Sequence, residues 1–186
     1  MRQNKTKNLT LNAFFIALTI VMLFTPLGTL RLPFVSVTIA HIPMLVATLT
    51  LGLRSGLVIS LTFGLVSLFI ALTAPNTVLD PFFVNPLISI LPRLLIPITT
   101  YYVAKFFDKD SKVRIVVASL VGNLTNTFGV YSMLYLIYAQ DILEKTGVSA
   151  LTYIISAMSV STVIKSVIVV LIVTPTVYAL RKVISE

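Results

Sequence analysis

Two basic side chains, Arg93 and Lys165, stand inside otherwise apolar stretches. A positive charge in hydrocarbon costs at least ~2.5–3.5 kcal/mol on insertion scales, so each must reach a polar interior, a partner or an interface. Arg93 therefore meets a ligand or polar cavity, or it bonds backbone carbonyls deprived of donors by Pro92 and Pro97. Lys165 snorkels, sits near a partner, or meets the same ligand. The six acids, Asp80, Asp108, Asp110, Asp141, Glu144 and Glu186, all fall in connections or tails, so no carboxylate in a span can pair with either base. An anionic ligand would supply the missing charge, and a carboxylate suits the two parallel donors of a guanidinium.

Uncharged polar residues cluster in the same half of the chain's apolar stretches. Asn85, Asn123, Asn126 and Gln140 fall near the middles or one end of two such stretches, and His41 opens another. Asn123 and Asn126 are three apart and share a helix face. Together these residues form a candidate pocket of amide donors and acceptors that would orient a ligand. The competing reading is that they bond neighbouring helices. Tyr131, with Phe82, Phe83, Tyr135 and Tyr138, serves either an interfacial aromatic belt or stacking on the ligand. His41 is the only histidine and there is no cysteine, so no metal site is expected.

The elements that position these residues follow from composition. Hydrophobic residues make up 57% of the chain and charged ones 11%, with a mean hydropathy of +1.02. A soluble domain is roughly a quarter charged, so the polar shell is missing and lipid must replace it. Six runs are long enough to cross a bilayer as helices: residues 9–25, 37–53, 57–72, 86–107, 115–139 and 149–180. The expected fold is an all-α membrane protein, a six-transmembrane-helix bundle forming one integral membrane domain over residues 1–186. The last run would reach roughly 48 Å as one helix, so it must tilt, project or break, with Thr174-Pro175 as the expected bend.

Basic connections stay in the cytoplasm. With the N-terminus inside, Arg2, Lys5, Lys7, Arg54, Lys105, Lys109, Lys112, Arg114, Arg181 and Lys182 all fall on the inner face, ten of fourteen bases. Both termini are thus predicted to be cytoplasmic. The net charge of +8 is explained by this distribution, and no nucleic-acid partner is expected.

Function classes narrow accordingly. No acid in a span argues against proton- or cation-coupled transport. The chain lacks the glycine-rich Lys-Ser/Thr loop that cradles nucleotide phosphates, so uphill transport would need energy from another polypeptide. No spaced acid pair, histidine cluster or activated nucleophile lies in the spans, which argues against an intramembrane enzyme. A membrane assembly protein without a ligand remains an alternative.

In the first span Ala13 and Ala17 lie one turn apart, a small-residue face that lets another helix approach closely. This face, the segment Asn85-Pro86-Leu87-Ile88-Ser89-Ile90-Leu91-Pro92-Arg93 and the stretch Gly122-Asn123-Leu124-Thr125-Asn126-Thr127 resemble the substrate-specificity subunits of energy-coupling-factor (ECF) vitamin transporters, most closely the pantothenate-specific branch. The resemblance implies a non-catalytic six-helix subunit of the bacterial plasma membrane that captures a vitamin from outside. It further implies docking, through Ala13 and Ala17, on a transmembrane coupling subunit carrying two ATPase subunits, which would hold ATP and Mg; this chain would need no cofactor. Pantothenate, with its carboxylate, hydroxyls and amide, matches Arg93 plus the amide side chains. Relatives for pyridoxine or hydroxymethylpyrimidine share the scaffold, so those vitamins are the alternative substrates.

Overall fold

The computed structural model describes residues 2–31, 36–75, 80–108 and 111–185; Lys109, Asp110 and Glu186 of the charge pattern lie outside them. Helix α1 (Arg2–Phe24) leads through a 3-10 turn (Pro26–Gly28) into a short antiparallel hairpin, β1 (Thr29–Arg31) against β2 (Ser36–Thr38). Then follow α2 (Ile42–Leu51), α3 (Leu53–Thr73), a 3-10 segment (Asp80–Val84), α4 (Pro86–Ser89), α5 (Leu91–Lys105), α6 (Lys112–Thr146) and α7 (Ala150–Ser185). Among the described residues, five stretches are long and apolar enough to cross a membrane: Thr6–Phe24, Leu53–Thr73, Pro86–Lys105, Lys112–Thr146 and Ala150–Lys182.

The second expected crossing differs. Residues 37–53 divide between β2, a short connection and the ten-residue α2. That helix is about 15 Å long, half of a hydrocarbon core. Hydrophobic periodicity could not reveal this, because α2 is buried on every face from Ile42 to Leu49 and so reads as a continuous apolar run. It is the axis of the bundle, surrounded by Phe15, Ile59, Phe63, Ile96, Ile115, Val169 and Val173. At its end Gly52 has φ +98° and ψ −178°, a conformation open essentially only to glycine, which reverses the chain directly into α3. The Arg181 guanidinium, from the end of α7, donates to the Leu49 carbonyl at 3.2 Å and so caps the α2 C-terminus.

The fourth run is also interrupted, at Ile90, giving α4 and α5. Asn85 starts α4: its Oδ1 accepts from the Leu87 N–H at 3.0 Å, with Pro86 next in line. Helix α6 continues past the expected end at residue 139, leaving helical geometry only at Tyr138 (φ −127°, ψ 26°). Helix α7 runs unbroken through Pro175, so the expected bend does not end the helix. Its 36 residues span about 54 Å, longer than the ~30 Å core, so tilt or projection must take up the excess.

Close approach fixes the antiparallel register of α3, α5 and α6. Pro97 has no N–H, which leaves the Arg93 carbonyl without its intrahelical donor; the Ser60 hydroxyl of α3 donates to it instead, at 2.6 Å. Ser60→Ala should therefore cost about 1–3 kcal/mol, because a buried carbonyl loses its sole replacement donor. A lowered melting temperature in detergent, against little change for Thr62→Ala on the exposed face, is the expected result.

The outside of the bundle is apolar, and the charged and amide side chains of its helices are gathered inside, within a largely apolar core. Leu65, Phe69, Leu72, Leu136, Val163 and Leu171 are exposed, whereas His41, Arg93, Asn123, Asn126 and Lys165 are buried. That distribution is what a lipid solvent selects.

Candidate functional site

One cavity of about 120 Å³ lies between the main core and a second apolar cluster built on Phe82, Ile88, Leu134 and Ile142. Helix α6 contributes half of its lining residues: Asn126, Thr127, Val130, Tyr131 and Leu134 recur at three- and four-residue spacing on one face. Arg93 enters from α5, Lys165 from α7 and Phe63 from α3. Thr38 of the hairpin and Phe83 of the 3-10 segment complete the lining.

Arg93 fulfils both roles open to it from sequence. Pro92 deprives the Ile88 carbonyl of an intrahelical donor, and Arg93 Nη1 donates to that carbonyl at 2.6 Å. The same guanidinium lines the cavity between two rings, 4.9 Å from the Phe83 centroid and 5.4 Å from that of Phe63. Both distances are within cation–π range, which offsets part of the cost of burying the charge. Its Nε is buried and makes no hydrogen bond.

Lys165 is 7% exposed and its ammonium donates to Thr127 Oγ1 at 3.3 Å. Among the described residues no Asp or Glu is buried, so two cations share one small cavity without a counter-ion. Asn126 Oδ1, also buried, accepts no hydrogen bond. The cavity thus offers unused donors from two cations beside one unused acceptor. Its chemistry fits a ligand that joins an anionic group to a hydroxyl or amide N–H.

The other sequence candidates are distributed around this centre. Asn123 stands one layer behind, its Nδ2 donating to Ser166 Oγ at 3.0 Å while its Oδ1 is buried without a partner. His41 is fully buried near Asn123 and Lys165, with neither ring nitrogen in hydrogen-bond geometry. Asn85 caps α4 and reaches the Tyr138 hydroxyl at 3.5 Å, outside the cavity. Gln140 is exposed beyond the Tyr138 break. Arg93, Asn126 and Tyr131 are thus brought together, and Asn85 and Gln140 are not. Thr127, Phe63 and Thr38 were not singled out as pocket residues from sequence, whereas Phe83 was among the aromatics offered there for stacking on the ligand. Thr127 carried a usable signal, four residues after Asn123 on its face; Thr38 and Phe63 come from distant elements and carried none. Ala13 and Ala17 are exposed on α1, away from the cavity.

A family model described as ECF transporter, substrate-specific component, matches residues 7–178. The chain belongs to that family. This ECF substrate-specific component is similar to the pantothenic acid transporter PanT of Lactococcus lactis subsp. cremoris (strain MG1363), at 28% identity over 191 aligned residues that cover 94% of this chain and 93% of the relative. It is also similar to the pantothenate transporter PanT of Leuconostoc mesenteroides subsp. mesenteroides, at 34% identity over 101 residues, 52% of this chain and 50% of that relative.

Proposed function

We propose that this ECF substrate-specific component captures pantothenate and delivers it through a shared, ATP-driven import module. The observation that carries the reading is the pairing of Arg93 and Lys165 on one cavity, with no buried acid among the described residues. A carboxylate is the simplest ligand group that balances such a site. The unfilled acceptor of Asn126 suits a hydroxyl or amide N–H of the same molecule. The names of two relatives point to the same vitamin.

The chain sits in the plasma membrane of a bacterium with both termini cytoplasmic, an orientation supported by Lys7, Arg54, Lys105, Lys112, Arg114, Arg181 and Lys182 at the helix ends opposite the hairpin. The cavity, nearer the hairpin, then faces the exterior. Partners are a transmembrane coupling subunit and two ATPase subunits, which hold ATP and Mg. The coupling subunit packs on the exposed Ala13 and Ala17 face, whose small side chains admit a second helix.

Reconstitution tests the proposal. Liposomes containing the chain with its coupling and ATPase subunits should accumulate labelled pantothenate when ATP is supplied, and the chain alone should not. Accumulation by the chain alone, without ATP, would contradict the division of labour. Ala13→Leu combined with Ala17→Leu should remove most uptake while leaving pantothenate affinity within about threefold, since the face lies far from the cavity. Equal uptake by that variant would dismiss the docking assignment.

A further inference from the structure

Lys165 is the cavity residue whose charge one guanidinium–carboxylate pair leaves unbalanced. We propose that Lys165 is a second holding point for the ligand's carboxylate, shared with Arg93, and that the two cations together select the acid over its uncharged alcohol. The inference deepens the pantothenate reading and rests on it.

Three observations support this role. Arg93 commits Nη1 to the Ile88 carbonyl, so its fork is not wholly available to the ligand, whereas a carboxylate offers about four lone-pair sites. Lys165 supplies three donors and spends one, on Thr127 Oγ1. Thr127 in turn donates its proton to the Asn123 carbonyl at 3.2 Å, which leaves its oxygen lone pairs turned to the ammonium. Thr127 is thus a positioning residue that holds Lys165 against the cavity wall. Finally, two like charges in so small a chamber repel each other until an anion enters between them. Part of the binding energy is then relief of that repulsion, which an uncharged ligand cannot provide.

The selectivity follows from chemistry. Replacing the carboxylate by a hydroxymethyl group keeps the shape of the ligand almost unchanged and removes its charge. A site with one guanidinium would prefer the acid modestly, and a site with two cations would prefer it more strongly.

The test compares equilibrium binding of pantothenate and of its alcohol analogue to the purified chain and to Lys165→Met and Thr127→Val. Lys165→Met should weaken the acid by roughly tenfold to a hundredfold and the alcohol by less than about threefold, collapsing the ratio between them. Thr127→Val keeps the charge and loses its guide, so a smaller fall in the ratio is expected, below about tenfold. An unchanged acid-to-alcohol ratio in Lys165→Met overturns the inference and leaves the pantothenate reading intact. Failure of the unsubstituted chain to bind pantothenate removes both. Should Lys165→Met bind neither compound, the ratio in Thr127→Val decides, with a fall supporting the shared carboxylate and no change overturning it.

Discussion

Arg93→Ala is expected to weaken pantothenate binding by at least about a hundredfold and to lower the melting temperature at the same time. Two losses combine. The ligand forfeits a pair of charge-assisted bonds of about 1.5–3 kcal/mol each, and the Ile88 carbonyl, already without its helical donor because of Pro92, loses its side-chain replacement. The rings of Phe63 and Phe83 also lose the group packed between them. Arg93→Lys separates the contributions. A lysine keeps the charge but cannot both bond the Ile88 carbonyl and present a planar pair of donors, so affinity should still fall at least about tenfold. Equilibrium binding on variants that elute as monodisperse protein is the measurement. Affinity within about threefold of the unsubstituted chain in both variants would sink the assignment of Arg93 to the carboxylate.

Gly122→Val should have the largest effect on the fold itself. A Cβ at this position would lie 2.6 Å from Leu45 Cδ2 of α2 and would press directly on Thr100 Oγ1 of α5. Leu45 and Thr100 are fully buried, so neither can swing into open space. Helix α6 would have to move away from both neighbours, and Asn126, Thr127, Val130 and Tyr131 would move with it. Even alanine should cost about 1–3 kcal/mol through overpacking, and the two further methyl groups of valine more. The expected outcome is a marked fall in thermal stability and loss of measurable pantothenate binding. Leu136→Ala, on the same helix but 74% exposed toward lipid, should change little. Equal stability of Gly122→Val and Leu136→Ala would contradict the described packing of α6.

What the amino-acid sequence discloses here depends on what surrounds each residue. The long apolar runs were legible because lipid demands them regardless of how the helices pack, and five of the six contain helices long enough to cross. The remaining run was misleading for a physical reason. In α2 every face is buried, so ten helical residues and the extended backbone before them carry the same apolar composition as a full crossing. Arg93 was legible both ways, since the prolines that free carbonyls and the absence of acids in the spans are printed in the sequence itself.

The amide side chains were less decisive. Asn85 occupies an Asn-Pro pair at a helix start, where capping competes with ligand binding, and capping is what its Oδ1 does. Gln140 follows the Tyr138 break by two residues, and nothing in its neighbours' types announces that break. The meeting of Lys165 with Arg93 across α7 and α5 depends on tertiary register, which spacing along the chain does not encode. His41 and Asn123 share a buried polar layer behind the cavity, a placement set by the short α2 and equally hidden in sequence.

Pantothenate binding in the cavity between Arg93 and Lys165 underlies the proposed function. The most direct measurement is an equilibrium titration of the purified, detergent-solubilised chain with a panel of radiolabelled B-group vitamins, using excess unlabelled vitamin as competitor. Tight, saturable binding of pantothenate, with no competition by pyridoxine or hydroxymethylpyrimidine, is the predicted result. Saturable binding of a neutral pyridine or pyrimidine in its place would keep the scaffold but contradict the carboxylate reading of the two cations, and binding of none of the vitamins would contradict the proposed function.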